Sequence, residues 1–471
     1  MNKSFSEYYR CPEQHIPLQL KGPLSEESGY FKFDQSILYG QVSGAVTVRN
    51  PDHALQDVSA ECVSREGAVY LPFDATQVVN NLRYEGYMSS STGWHPASSL
   101  LGRGYYFLRP LLPVAVRRHL QKFRLNGWRH LQFPLWPVDR TVDSVMERLL
   151  LLSLRATQQN EIPFIWFWPD GAESCAIMTH DVETTAGRDF CSTLMDINDR
   201  FGIKASFQVV PEVRYEVPES YLESIRGRGF EVNVQDLNHD GHLFRSKKEF
   251  LARAVKINEY GRQFRSEGFR SAILYRRQEW YDALEFSYDM SVPNVAHLDP
   301  QRGGCCTVMP YFVGNMVELP VTTTQDYSLF HILRDHSIEL WKQQMELIIE
   351  KHGLISFIIH PDYIVEREER ATYETLLAHL KKLQAERDVW MPLPREVAAW
   401  WKQRSNMKLV EIDGTLQVQG NGHERARIAY AREENGHLVY SFESASTRSE
   451  SSKLFTKETE SSVLTDSVRA H

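Results

Sequence analysis

Several things are scarce in this 471-residue sequence. Its most apolar short runs, "LLPVAV" and "LISFII", fall far short of the roughly 18 to 20 residues a membrane-spanning helix needs. Basic charge is not in excess, since 53 Lys and Arg face 61 Asp and Glu for a formal net charge of −8. That balance argues against a general nucleic-acid binder, which carries a basic stripe. The six cysteines, at 11, 62, 175, 191, 305 and 306, show no Cys-x-x-Cys spacing and give no disulfide framework. The opening "MNKSFSEYYRCPEQ" has no apolar stretch of the secretory kind. Together these absences predict a cytoplasmic protein with reduced thiols and no membrane span. No internal repeat is found.

The length exceeds what one hydrophobic core normally supports, so two or three domains are expected. Hydrophobic residues at 42% and charged residues at 24% are ordinary for a globular chain. Residues 1–160 form a region of unknown role: short apolar runs, scattered Pro and Gly, a basic stretch "VRRHLQKFRLNGWRH", and one clear helix in "SVMERLLLLSLRA". From 161 to 405 the pattern alternates. "CAIMTHD", "KASFQVV", "FEVNV", "FRSAILY", "MVELPV" and "LISFIIH" read as strands, separated by amphipathic helices such as "KKEFLARAVKINEYGRQF". Strands spaced by helices of that length imply a parallel sheet, open or closed into a barrel. Residues 406–445 alternate as a small antiparallel β module, and 446–471, rich in Ser, Thr, Glu and Lys, read as a disordered tail.

Polar residues interrupt the apolar strands at their C-terminal ends. "THDVE" gives His180, Asp181 and Glu183; "VQDLNHDGHLF" gives Gln235, Asp236, His239, Asp240 and His242; "GFRSAILY" carries Arg270; "LISFIIHPD" ends in His360. In parallel α/β architectures such positions converge on one pocket. Two carboxylates, two histidines and an arginine there suffice for metal-assisted hydrolysis. Taken singly, each has a plainer reading. Asp181 or Glu183 could cap the next helix, Asp236 and Asp240 read best as turn caps, and Arg270 as a structural ion pair.

With these residues in order, the run from about 170 to 400 resembles the polysaccharide deacetylases of the NodB-homology type, carbohydrate esterase family 4. The resemblance implies a distorted (β/α) barrel and a metal-dependent hydrolase that removes acetyl groups from N-acetylated sugars, with an acetylated carbohydrate as partner. It implies one divalent ion, usually zinc. On it, "THDVE" supplies a general base, Asp181, and a metal carboxylate, Glu183, because Val182 cannot ligate. "QDLNH" matches the family's His-x-x-x-His pair with Gln235 in the first histidine's place and His239 in the second's. Arg270 matches the arginine that tunes the base, with Ala272 where the family has proline, and "IIHP" supplies His360 as general acid. Asp289 and Asp326 are candidates for the remaining acidic motif.

Gln235 is the departure, since an amide oxygen is a poorer zinc ligand than imidazole nitrogen. His242 is a possible substitute ligand. The alternative reading is a non-catalytic deacetylase-like protein that binds carbohydrate or scaffolds envelope-polysaccharide biosynthesis.

Overall fold

The computed structural model describes residues 3–89 and 127–443. The basic stretch up to residue 126 and the tail from 446 lie outside the described residues. At the centre is a curled, mostly parallel sheet. Its strands are β1 (Ser174–Val182), β2 (Ser206–Val209), β3 (Glu231–Gln235), β4 (Gly268–Arg270), β5 (Tyr288–Asp289), β6 (Tyr311–Val313), β7 (Met316–Glu318), β8 (Leu354–Ile359) and β9 (Val389–Trp390). They run in the spatial order β6-β7-β5-β4-β3-β2-β1-β8, with β9 paired to the start of β1. Only β6 is antiparallel to its neighbour. The helices between them are α1 (Thr185–Phe201), α2 (Glu219–Arg226), α3 (Lys247–Phe264), α4 (Glu339–Ile349), α5 (Arg367–Glu386) and α6 (Pro394–Asn406). This is the expected distorted (β/α) barrel.

The local reasons are visible in the residues. All nine residues of β1 are buried, as a parallel strand covered on both faces requires. Its side chains alternate, so Thr179 and Asp181 face the barrel interior while His180 turns outward. There His180 meets Asn198 of α1 at 2.9 Å, and burial drives its pKa down to about 3. His180 is thus a neutral core histidine. In α3, Ser246 caps the N-terminus by accepting from Glu249 N, and Phe250, Ala254, Ile257, Gly261 and Phe264 recur on one buried face.

One strand came out shorter than the apolar pattern predicts. "FRSAILY" is a strand only through Arg270, because Ile273 and Leu274 take positive φ of 60° and 53° and turn the chain away. The edges of the sheet meet through 321–324 instead of a ladder. Val321 bridges Pro293 on one side. On the other, Thr322 Oγ1 donates to Leu354 O and accepts from Ser356 N, and Thr323 Oγ1 donates to Ser356 O. Threonine hydroxyls, with one backbone bond from Thr323 N to Ser356 O at 3.3 Å, hold this edge where no ladder forms.

The flanking regions pack directly on this barrel. The helix Thr141–Thr157 buries Asp143, which accepts from Val308 N and Thr307 Oγ1. Glu85 pairs with the fully buried Arg276 and accepts from Gly304 N. Ile162–Ile165 pairs with Ile428–Glu434, so a C-terminal hairpin extends a strand that precedes the barrel. Among the described residues no helix is long and apolar enough to cross a membrane, and all six cysteines are free.

Candidate active site

The C-terminal ends of β1, β3, β4 and β8 bring Asp181, Glu183, Gln235, Arg270 and His360 together, with His239 arriving from the turn after β3. Arg270 is completely buried and its Nη1 donates to Asp181 Oδ1 at 2.6 Å and to Thr179 Oγ1 at 2.8 Å. Its Nε donates to Met290 O at 3.0 Å, which fixes the guanidinium plane. Burial pushes the Asp181 pKa up and outweighs the pull of Arg270 in the other direction. The guanidinium opposes that desolvation on the carboxylate it touches.

Opposite Asp181 sits His360. Its Nδ1 lies 2.7 Å from Asp326 Oδ1 and its backbone N–H donates to Asp326 Oδ2 at 2.6 Å. Burial opposes the imidazolium, but Asp326 and Glu183 raise its pKa well above the ordinary histidine value. Of the two acidic candidates, Asp326 is the one beside His360. Asp289 instead accepts from Ser291 N and Oγ and forms a buried carboxyl pair with Glu318. The sequence carried only a faint signal for Asp326, a carboxylate just beyond the apolar strand β7 and its threonines.

Glu183 lies between these groups with its side chain a fifth exposed, so the cluster opens to solvent on that side. Its Oε1 is 2.7 Å from His239 Nε2 and 3.5 Å from His360 Nε2. Burial raises its pKa, yet the two histidines more than reverse this and hold it well below the usual range. Gln235 Nε2 donates to Glu183 Oε1 at 3.0 Å and to Asp181 Oδ2 at 3.2 Å.

His242 does not join them. Half exposed, it places Nδ1 3.5 Å from Asp240 Oδ2, and Asp240 is in turn held by Arg253 at 2.8 Å. Asp236 accepts from Leu237 N at 2.6 Å within the turn, where it and His239 both take positive φ.

Could these residues hold a divalent ion? Asp181, Glu183 and His360 offer ligand atoms within 4.8 Å of one another. Two further buried atoms, Gln235 Oε1 and His239 Nε2, have no hydrogen-bond partner in ligating geometry. Those two belong to the residues that the resemblance assigns to the metal. A carboxylate beside an imidazole nitrogen and an amide oxygen that make no hydrogen bond fits a divalent cation, with more oxygen character than a zinc site usually has.

Comparison with solved structures finds remote likenesses. A chain described as a polysaccharide deacetylase from Mycobacterium smegmatis is 18% identical over 50% of this chain and 93% of its own, with a TM-score of 0.42. Solved structures similar to this chain include polysaccharide deacetylases. A second, from Pseudomonas aeruginosa, is 12% identical over 50% of this chain and 92% of its own, with a TM-score of 0.40. A carbohydrate esterase family 4 pseudoenzyme from Bacillus anthracis is 15% identical over 48% of this chain and 65% of its own, with a TM-score of 0.31. No family model and no curated protein matches the sequence. Likenesses this remote say nothing of the chemistry, which rests on the side chains of this chain.

Sequence reasoning missed one residue altogether. Arg214, in the loop after β2, reaches back over the cluster: its Nη2 donates to His239 O at 2.5 Å and lies 3.2 Å from His239 Nδ1. Nothing in "PEVRYEVPE" marks it, because the contact depends on how that loop folds over β3.

Proposed function

We propose that this barrel is a hydrolase of the polysaccharide deacetylase type, which removes acetyl groups from N-acetylated sugars. What supports the reading is the pairing of opposites around Glu183. A carboxyl group, Asp181, is tied to Arg270, and an imidazole, His360, is tied to Asp326, with ligand atoms within 4.8 Å across the cluster. A carboxyl group and an imidazole, each beside a partner of opposite charge, offer the base and the acid that hydrolysis of an unactivated amide requires.

In this scheme Asp181 accepts a proton from the attacking water as its oxygen bonds to the acetyl carbon. Arg270 keeps the carboxyl oriented for that transfer. When the carbon–nitrogen bond breaks, His360 gives its proton to the departing amine, leaving acetate and a free amino sugar. Asp326 holds His360 protonated until then. Glu183, His239 and Gln235 would hold a divalent ion, zinc in the usual form of such a site. When bound, such an ion would polarise the acyl oxygen and lower the pKa of its water from about 15.7 toward 7.

The experiment is acetate release from N-acetylated amino-sugar oligomers by zinc-supplemented protein, beside Asp181→Asn. Release that disappears in the variant supports the reading. No release from any such oligomer defeats it.

One observation favours a second reading, a carbohydrate-binding protein without catalysis. The Gln235 amide already donates to both carboxylates, where a cation would otherwise balance them. Oligomer binding by calorimetry with no acetate formed, with or without zinc, would favour this alternative.

A further inference from the structure

One open pocket draws on residues from outside the barrel. It lies between the segments 293–299 and 321–328, spans about 330 Å³ with its mouth included, and has Trp136, Asp299, Thr322, Thr324, Gln325 and Ser328 among its walls. Small-molecule sites run from roughly 300 to 1,000 Å³, so this one has room for a single sugar ring. It also adjoins the catalytic cluster along the chain. Gln325 and Ser328 flank Asp326, the carboxylate that grips His360.

The walls offer what a pyranose binds. A sugar ring presents apolar C–H faces and a rim of hydroxyls, which suit an aromatic side chain and a few fixed polar groups. Trp136 is half-buried, with His297 stacked on it at 5.6 Å and Trp128 meeting it edge-on at 4.9 Å. Trp166, Trp168, Trp341 and Trp400 each donate the indole N–H to a backbone carbonyl, whereas that of Trp136 donates to none of the described residues. Across the pocket, Asp299 Oδ1 accepts from Gln325 Nε2 at 2.8 Å, and no described residue donates to Oδ2. Burial lifts the Asp299 pKa to about 6, so near pH 7 it stands mostly as the carboxylate acceptor.

The segment that brings Trp136 is held in place by two buried amides of the barrel. Gln344 of α4 donates through Nε2 to Pro137 O at 3.0 Å and to Thr324 Oγ1 at 3.1 Å. Asn294 donates to Asp139 O at 2.7 Å and accepts from Asp139 N at 2.8 Å. Trp136 is therefore fixed against the seam at 321–324 before any ligand arrives, which lowers the ordering cost of binding. A segment that only sealed the seam would fill this space, yet a pocket with unused donors and acceptors remains.

We propose that Trp136, Asp299 and Gln325 form a subsite for a second sugar unit, neighbouring the unit that reaches His360. The ring packs an apolar face against Trp136, donates a hydroxyl to Asp299 Oδ2 and accepts from the indole N–H. The chain then selects oligomers over single sugars, and residues 127–139, outside the deacetylase-like run, supply the aromatic part. The proposal rests on the carbohydrate reading of the preceding subsection, but not on any acetate release.

The test is calorimetric titration of the full, chelator-treated chain, so that no hydrolysis accompanies binding, with N-acetylglucosamine and with its β-1,4- and β-1,6-linked trimers. Wild type should bind one of the trimers about tenfold or more tightly than the monosaccharide. Trp136→Ala should lose about tenfold in trimer affinity, as for an aromatic anchor in an interface, Trp136→Phe about threefold, and Asp299→Asn about fivefold. Wild-type trimer affinity in both Trp136→Ala and Asp299→Asn overturns the subsite, as does a wild type that binds neither trimer more tightly than the monosaccharide. A loss confined to Trp136→Ala, with Trp136→Phe no better, marks a structural role and overturns it too. In zinc-supplemented protein that releases acetate, Asp299→Asn should raise KM for the trimer and leave kcat nearly unchanged. Affinities in the expected order without acetate release would instead count against the hydrolase reading alone.

Discussion

Asp326 grips His360 at two points, through the ring nitrogen Nδ1 at 2.7 Å and the backbone N–H at 2.6 Å. One carboxylate thus fixes both the orientation and the charge of the ring, and the next residue, Pro361, starts a short 3₁₀ turn beyond it.

Asp326→Asn should remove the charge that raises the His360 pKa while keeping an acceptor of similar shape. Activity on N-acetylated oligomers should fall about 100-fold or more, within the usual range for a misplaced general acid. The alkaline limb of the kcat/KM profile should also move to lower pH, since His360 would lose its proton sooner. An unmoved limb would show that another group is the acid.

Arg270 carries a fully buried charge whose one carboxylate contact is Asp181. Arg270→Met should cost about 3 to 5 kcal/mol by urea denaturation, the range for leaving one member of a buried pair alone. Adding Asp181→Asn should recover a large part of that loss, because no unpaired carboxylate then remains. Additive losses in the double variant would mean that the pair is not coupled.

His239 and His242 should separate cleanly in zinc titrations. His239→Ala should abolish zinc binding by the full chain. His242→Ala should change nothing there, since that side chain is half exposed and turned to Asp240.

Glu231, at the opposite end of β3, accepts from Tyr288 Oη at 2.5 Å, and burial pushes its pKa from 4.5 to about 7 despite that bond. A carboxyl raised in the folded state binds its proton more tightly there than in the unfolded chain. Its contribution to stability is therefore complete below about pH 4.5 and is lost as the pH rises through 7. At about 1.36 kcal/mol per unit, the loss is about 3 kcal/mol. Glu231→Gln mimics the protonated form, so the difference in unfolding free energy between the variant and wild type should grow across that window and level off above it. A difference that stays flat from pH 4.5 to 8 would rule the burial argument out.

Much of the barrel was legible because its elements are locally marked. The run Lys247–Phe264 has a Ser cap and a clean apolar face, and β1 and β8 are apolar throughout until a polar residue ends them. The strands that escaped notice, Tyr288–Asp289, Tyr311–Val313 and Val389–Trp390, have two or three residues, too few for any periodicity to declare itself.

The site divides along the same line. The sequence by itself determined which residues stand at strand ends, because an apolar run that a polar residue closes fixes the end of a buried parallel strand. From that alone Asp181, Gln235, Arg270 and His360 were expected in one pocket. Tertiary structure decided the rest. Only folding could choose Asp326 over Asp289 for His360, turn His180 into the core, leave His242 to Asp240, and bring Arg214 onto His239. Those choices depend on loops whose ends are fixed by strands far apart in the chain, and no local pattern encodes where such a loop will close.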